Sequence, residues 1–244
     1  MHHRSPPRNS TCVSLGICMI RALIFDFNGV LADDDPIHME AFRETAKSEG
    51  LSFTDEEYLD RYLPLNDWDC FKTLFAAHGR PLAESKLDEL IRRKSDHYFQ
   101  TIADKAVLFS EAGTAVKAAT LHCRLAIASG ARAEEIRHIL TQGGLEGCFS
   151  AIIAAEDVRF GKPHPEPFLR AHKKLKERDR SLRIPDCVAV EDSVGGIQSA
   201  HGAGMRCLAI AHSYSPARLW SASPEWVIDS IADFVSWLEK EVSK

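Results

Sequence analysis

The chain has 244 residues, of which 45% are hydrophobic and 27% are charged, and its formal net charge is −5. This composition is typical of a soluble globular protein of one or two domains and excludes a low-complexity or disordered chain. A net negative charge gives no basic footprint for nucleic acid, and no apolar run approaches the roughly 18 residues that cross a membrane. We therefore expect no nucleic-acid and no membrane partner.

The cysteines and the first residues bear on location. Seven cysteines are an odd number and include no Cys-x-x-Cys pair, which favours reduced thiols in a cytoplasmic protein over disulfides or a zinc site. Residues 1–18 carry positive charges but lack the long apolar stretch and the small-residue cleavage site of a secretory signal. We expect them to be a disordered extension, such as an over-long start, before Met19.

The first predicted strand is the apolar run from Arg21 to Phe25, which is short and unbroken, as expected of a strand buried on both faces. Asp26 follows at the point where the run ends. Asp is disfavoured in strands, and ligands of open parallel sheets bind beyond the carboxyl ends of the strands. Asp26 is therefore a candidate functional residue, and Gly29 allows the chain to turn away from it.

An all-helical region follows this strand. Apolar residues recur there at helical spacing, and Thr54 with Glu57 predicts a capping box at the start of the second helix. The predicted helices are 36–50, 54–63, 66–79 and 83–102, with Asn66 or Asp67 as the cap of the third.

From about residue 106, strands and helices alternate as in a parallel α/β sheet. The predicted strands are 124–128, 151–154, 187–190 and 206–210, with an edge strand at 227–228, and the predicted helices are 111–121, 133–141, 165–176, 193–203 and 231–241. The predicted fold class is therefore α/β, a doubly wound, Rossmann-like parallel sheet core that is interrupted after its first strand by an inserted all-helical domain.

Four stretches of the core deliver polar residues in order along the chain. Asp26 follows the first strand, Ser129 follows the second, Lys162 lies in a Gly-Lys-Pro segment, and Glu191-Asp192 follow the run 188–190. The segments 26–30 and 191–200, taken with the two between them, resemble the motifs of the haloacid dehalogenase (HAD) superfamily. The resemblance is to its helical-cap subfamily of beta-phosphoglucomutase-like and phosphoglycolate phosphatase-like proteins.

The resemblance implies a domain division and a magnesium site. Residues 34–103 would be a helical cap over a core made of 19–33 and 104–244, with hinges at 32–35 and 103–108. A small phosphorylated molecule would be the substrate, with Asp26 as the nucleophile and Mg²⁺ as the cofactor. Mg²⁺ prefers oxygen ligands, which Asp26, Asp192 and the backbone carbonyl of Asn28 would supply, with Glu191 as a further ligand or directly behind them.

The resemblance also implies the groups that hold the phosphoryl oxygens. Ser129 would donate its hydroxyl, Gly130 would permit close approach, and Lys162 would supply a positive charge. Arg132 could bind a distal phosphate. His38 lies where a histidine of this family often approaches the acid/base residue, so it is a candidate catalytic residue.

Asn28 departs from the family pattern, in which an aspartate at this position protonates the leaving oxygen and then activates water. An amide does neither, and general acid–base help is typically worth about 10²–10⁴-fold. Three interpretations stay open: a slow Mg²⁺-dependent phosphatase in which water, His38 or a substrate group replaces the acid; a phosphate-binding pseudoenzyme; and deamidation at Asn28-Gly29, which would create the missing aspartate.

Other activities of the superfamily fit less well. A sugar-phosphate phosphomutase of the family would hold the second phosphate with a cap arginine, whereas the corresponding segment 64–69 offers acids. A phosphonate hydrolase would need a small residue in place of Asn28 and a cap lysine, for which Lys47 and Lys72 are available. The identity of the substrate and the oligomeric state stay open. Asn66, Asp67, Trp68 and Asp69 are the suggested substrate contacts of the helical cap, and the favoured alternative for this segment is a helix cap with one core tryptophan.

Overall fold

The structure, a computed structural model, describes residues 19–63, 65–103 and 105–242. Six parallel strands form one sheet in the order β3-β2-β1-β4-β5-β6. The strands are β1 (Ala22–Phe25), β2 (Arg124–Ala128), β3 (Ala151–Ile153), β4 (Cys187–Glu191), β5 (Arg206–Ile210) and β6 (Trp226–Ile228). The predicted doubly wound parallel sheet is therefore confirmed. The strand order reverses at β1, and ligands of such sheets bind at this switch point.

The first strand is central because it is apolar on both faces. Leu23 and Phe25 belong to the hydrophobic cluster on one face of the sheet, whereas Ala22 and Ile24 belong to the cluster on the other face. Successive side chains of a strand point to opposite faces, so every residue of β1 is used in packing. The strand is thereby fixed between β2 and β4, and Asp26 is fixed at its carboxyl end.

Four helices are inserted between β1 and the rest of the sheet, and they pack around a hydrophobic cluster of their own. They are α1 (Asp35–Ser48), α2 (Asp55–Glu57), α3 (Asp67–Ala77) and α4 (Glu84–Ile102). The capping box is present, since Thr54 and Glu57 exchange side-chain to backbone hydrogen bonds. The predicted second helix differs, because it continues as a π-helix over Tyr58–Tyr62. Periodicity does not separate this wider turn from an α-helix.

The two connections between the insert and the core lie side by side. The N–H of Asp33 donates to the carbonyl of Val107 (2.7 Å), and the N–H of Phe109 donates to the carbonyl of Leu31 (3.0 Å). The chain therefore enters and leaves the insert at one place, which is the arrangement that a hinge requires. The boundaries at 34 and 103 and the hinge role stay predictions, and the adjoining residue 104 lies outside the described residues, as do residues 1–18.

Six further helices flank the sheet: α5 (Ala112–Thr120), α6 (Ala133–Gln142), α7 (Glu166–Arg178), α8 (Val194–Gly202), α9 (Pro216–Trp220) and α10 (Phe234–Val242). Helix α9 was not predicted, because five residues are too few for a periodic pattern. The predicted last helix is preceded by a short 3-10 turn at Ile231–Asp233. The five cysteines at described positions are free thiols. Within the described ranges, no helix is both long and apolar enough to cross a membrane.

Candidate active site

The carboxyl ends of β1, β2 and β4 bring most of the predicted site residues together. One cavity between the sheet and the helical insert is lined by Asp26, Asn28, Ser129, Gly130, Lys162 and Asp192, and His38 reaches it from α1. Glu191 lies directly beneath, fully buried. Because neighbouring parallel strands end at the same edge of the sheet, residues that are more than 100 positions apart in the chain share this cavity.

Lys162 bridges two of the acids. Its ammonium lies 2.9 Å from Oδ1 of Asp26 and 2.5 Å from Oε1 of Glu191. Burial alone would lower the pKa of Lys162, but Asp26 and Glu191 outweigh burial and the net shift is upward. Lys162 therefore stays a cation beside Asp26, where it can attract a phosphate group and steer its oxygens.

Three acids could hold a metal ion. Asp26, Glu191 and Asp192 each offer a carboxylate oxygen, and these oxygens all lie within 4.8 Å of one another. Burial and the neighbouring Glu191 and Asp26 raise the pKa of Asp192 well above its usual range. Among the described residues, Lys162 is the one cation that pairs with these acids, and their donor atoms are the oxygens that a hard divalent cation prefers. The residues present therefore fit Mg²⁺.

The two acids after β4 have different partners. Oε2 of Glu191 accepts from the backbone N–H of Asp192 (3.1 Å) and from the hydroxyl of Ser193 (3.0 Å), while its Oε1 holds Lys162. Asp192 accepts instead from the hydroxyl of Ser213. Glu191 therefore orients Lys162 and the start of α8, and Asp192 faces the cavity. Ser213 was not predicted, since it follows β5 outside the family motifs.

Two glycines make room for these acids. Gly29 has a φ of +70° and its position would otherwise place a Cβ against Asp192, while a Cβ at position 196 would overlap the carboxylate of Glu191. Gly195, one residue earlier on the same helix, has open space around the corresponding position. The two adjacent glycines of α8 therefore have different roles, which the sequence alone does not separate.

We expect Gly196→Ala to displace the Glu191 carboxylate, with a cost in unfolding free energy of about 1–3 kcal/mol from overpacking and loss of any catalytic rate that depends on the position of Lys162. The matched control is Gly195→Ala, which should fold with unchanged or higher stability, by up to about 1 kcal/mol, because alanine is the better helix former. Thermal unfolding and steady-state rates of the two variants check this. Equal effects of both substitutions would contradict the role given to Gly196.

Of the predicted phosphate-binding residues, Ser129 lines the cavity and Arg132 does not. Ser129 is buried at the end of β2, and its hydroxyl oxygen accepts from the N–H of Ala131 (3.1 Å), next to the start of α6. Arg132 is not among the residues that line the cavity. Its guanidinium donates to Ser95 (2.9 Å) and pairs with Glu134 (2.9 Å). The structure thus brings Ser129 into the cavity but turns Arg132 toward α4.

Asn28 faces an acid that was not predicted. Its amide donates to Oδ1 of Asp34 (2.8 Å), a fully buried carboxylate that also accepts from Tyr98 and lies 3.2 Å from Nε2 of His38. Burial would raise the pKa of Asp34, but His38 and these hydrogen bonds outweigh it and the pKa is lowered. A carboxylate therefore lies next to position 28, although Asp34 is not among the residues that line the cavity.

A buried lysine completes this side of the cavity. Lys94 of α4 is only 2% exposed, and its ammonium lies 2.5 Å from Nδ1 of His38 and 3.0 Å from Oδ1 of Asp67. An ammonium has donors only, so Nδ1 of His38 accepts and the ring hydrogen is assigned to Nε2, which faces Asp34. Lys94 was not predicted, although it shares the apolar face of α4 with Leu87, Leu90, Ile91 and Tyr98. This helical spacing was the feature of the sequence that could have indicated a buried lysine.

Comparisons with known proteins identify the family of the chain. Residues 23–210 match the family described as haloacid dehalogenase-like hydrolase. The chain is 29% identical to protein CbbY of Rhodobacter capsulatus over 222 residues, which are 87% of this chain and 94% of the relative. It is 26% identical to a phosphorylated carbohydrates phosphatase of Thermotoga maritima over 201 residues, 82% and 89% of the two chains.

A solved structure is similar over nearly its whole length. It is a mutant of CbbY from Rhodobacter sphaeroides in complex with xylulose-(1,5)bisphosphate, with a TM-score of 0.76, 26% identity, and coverage of 88% of this chain and 96% of that one. The similarity includes both the sheet and the helical insert, since the two chains correspond over most of their lengths.

Proposed function

The chain belongs to the haloacid dehalogenase-like hydrolases and is a phosphatase, and we propose that it hydrolyses a small phosphorylated metabolite such as a sugar phosphate with the help of Mg²⁺. The observation that carries the proposal is the cluster of Asp26, Lys162 and Asp192 in one cavity at the switch point of the sheet. Two relatives support the substrate class, since one is named for phosphorylated carbohydrates and the other holds a sugar bisphosphate.

The proposed chemistry has two steps. A carboxylate oxygen of Asp26 attacks phosphorus, the bond from phosphorus to the ester oxygen breaks, and the phosphoryl group is left on Asp26 as an aspartyl-phosphate. Water then attacks the same phosphorus, which releases phosphate and restores the Asp26 carboxylate. Lys162 and the hydroxyl of Ser129 hold the phosphoryl oxygens during both steps.

Mg²⁺ would be held by Asp26, Asp192 and the backbone carbonyl of Asn28, with Glu191 close behind them. When bound, it supplies positive charge that offsets the phosphate and the buried acids. Within this chain, Glu191 holds Lys162 in position, and Ser213 fixes the orientation of Asp192.

The site has no carboxylic acid at position 28 to protonate the leaving oxygen. Asn28 cannot supply the proton, and we propose that water or His38 stands in, since Nε2 of His38 lies 3.1 Å from the Asn28 amide nitrogen. As Nε2 gives up its hydrogen, Nδ1 would take a proton from the Lys94 ammonium, so that the ring stays neutral and Lys94 becomes the amine. Hydrolysis of esters with poor leaving groups is therefore slow. The alternative, a phosphate-binding pseudoenzyme, is favoured by one contact: the Asn28 amide donates to Asp34 at 2.8 Å, so the amide is built into the site.

We also propose a cytoplasmic location, in keeping with the free thiols at the five described cysteine positions. A small phosphorylated molecule is the proposed partner, and the net charge of −5 gives no reason to propose nucleic acid.

Removal of the metal tests the proposal. Phosphate release from an aryl phosphate and from a panel of sugar phosphates should fall to background with a chelator and return with Mg²⁺. Mg²⁺ should also raise the melting temperature, because a ligand that binds only the folded state stabilises it and a cation relieves the repulsion among the buried acids. Asp192→Asn should lose this thermal shift, whereas Asp33→Asn, at an exposed position, should keep it. A rate that is indifferent to the chelator would contradict the metal dependence.

A further inference from the structure

We propose that the helical side of the cavity selects the leaving group by charge, in the order protonated amine, then hydroxyl, then second phosphate. The inference rests on the proposed phosphatase function and makes its substrate class narrower: a phosphomonoester whose leaving group carries no second anion. It follows from which charged side chains line the cavity beyond Asp26, and from how each of them is already paired.

Two cations line the cavity among the described residues, Lys94 and Lys162. Lys162 is held by Asp26 and Glu191 at the phosphate end. Lys94 is the cation of the other end, and Arg132 is turned away toward Ser95 and Glu134. His38 also lines this end, but its two ring nitrogens already face Lys94 and Asp34. A second phosphate would therefore depend on Lys94.

The charge of Lys94 is already balanced. Its ammonium donates to His38, lies 3.0 Å from Asp67 and has Glu135 further off at 3.9 Å, so two of its hydrogens and its charge are already matched by groups of the protein. A second phosphate would have to displace Asp67 from Lys94 and then lie next to the Asp67 carboxylate. Like charges placed together disfavour a complex strongly.

The acids in this half of the cavity outnumber the cation. Asp67 and Glu135 line it, against Lys94, whereas Asp35 lies at the other end, where the Ser213 hydroxyl contacts both Asp35 and Asp192. Oδ1 of Asp67 faces Lys94, and its side chain keeps 18% of its surface exposed, so its carboxylate is open to a second donor. A protonated amine on the leaving group would find this carboxylate, and a hydroxyl could also donate to it.

Much of the remaining wall of this half is apolar. Four lining residues, Phe42, Tyr58, Leu65 and Cys70, come from the helical insert, beside the polar Asn66 and His38. Asp67 is the more exposed of the two acids here, since Glu135 is only 2% exposed, and it is therefore the anionic contact that a leaving group can reach.

Matched two-carbon esters test the order without any variant. The probes are 2-aminoethyl phosphate, 2-hydroxyethyl phosphate and ethane-1,2-diyl bisphosphate, with an aryl phosphate as reference. We expect kcat/KM to fall by about tenfold or more at each step from amine to hydroxyl to bisphosphate, since each step changes the charge that faces Asp67.

The variant that tests the cause is Asp67→Asn, which removes the acid and leaves Lys94 available. Relative to the aryl ester measured with the same variant, it should lower kcat/KM for the amine ester and raise it for the bisphosphate, each by about tenfold. Asp96→Asn is the control, because Asp96 lies on the same helix as Lys94 but is exposed to solvent. It should leave the order of the three esters unchanged.

The outcomes separate this inference from the function on which it rests. If the wild type hydrolyses the aryl ester but prefers the bisphosphate, or if Asp67→Asn and Asp96→Asn change the order equally, the charge selection is wrong and the phosphatase stands. If no ester, including the aryl ester, releases phosphate, the phosphatase function and the charge selection both fail.

Discussion

Asp26→Ala is expected to lower phosphate release by about 10⁴–10⁶-fold, the range seen when a catalytic nucleophile is removed. No other described carboxylate is placed to replace it. Glu191 is fully buried with one oxygen on Lys162 and the other on the start of α8, and Asp192 is held by Ser213. Loss of Asp26 also removes a partner of Lys162, but Glu191 remains at 2.5 Å, so the lysine stays paired and the fold should survive.

Two measurements make this test decisive. The rate with an aryl phosphate isolates the attack by Asp26, because its leaving group hardly needs an acid, and rapid acid quench of the wild type during turnover should trap the phosphoryl group on Asp26. Asp33→Ala is the control, since Asp33 is an exposed carboxylate seven residues further on. Its rate and melting temperature should match the wild type. An Asp26→Ala variant that still turns over would exclude Asp26 as the nucleophile.

Asn28→Asp is expected to raise the rate on alkyl phosphates by about 10²–10⁴-fold, the usual contribution of general acid–base catalysis, and to change the rate on aryl phosphates little. The difference arises because an alkoxide leaves poorly without a proton. The new carboxyl group would replace an amide nitrogen that lies 2.8 Å from Oδ1 of Asp34. Two carboxylates at this distance cannot both ionise easily and tend to share a proton.

The neighbouring acid gives this prediction a pH signature. In Asn28→Asp, Asp34 raises the pKa of the new carboxyl group, so the acid form persists to higher pH and the alkaline fall of the rate comes later. In Asn28→Asp with Asp34→Asn, the second charge is gone, that pKa falls, and the alkaline limb moves to lower pH. Rate profiles of both variants on alkyl and aryl esters measure this. Identical alkaline limbs would show that Asp34 does not act on position 28.

The same contact bears on deamidation of Asn28. Conversion to aspartate would place a carboxylate against Asp34, and the Asn28 amide is held by a hydrogen bond that deamidation would lose. We therefore expect Asn28 to persist in aged protein, which mass spectrometry of the peptide that contains it can check. An activity that increases with age together with loss of the amide would support the opposite interpretation.

Much of this protein follows from its sequence. Short apolar runs followed by polar residues identified five of the six strands closely and the sixth at the sheet edge, since strand burial and strand ends are local properties. The change to helical periodicity after Asp33 predicted the insert. Four residues that follow or lie beside strands were predicted to share one site, and all four line one cavity: Asp26, Ser129, Lys162 and Asp192. A parallel sheet gathers its carboxyl ends at one edge whatever the connections contain.

The tertiary structure decided which side chains meet. Hydrophobic periodicity shows which side of a helix is buried but not which residues that side contacts. The contact between Lys94 and His38, 56 positions apart in the chain, was therefore not predicted. Asp34 was not predicted as a site residue, because its position next to Asn28 depends on burial and on a hydrogen bond from Tyr98, 64 positions away in the chain. Arg132 lies at the start of α6, where the sequence predicted a contact to a distal phosphate, but its guanidinium turns toward Ser95. The sequence by itself therefore determined the sheet, the insert and the end of the cavity that holds Asp26 and Lys162, while packing between distant segments decided the charge of the other end.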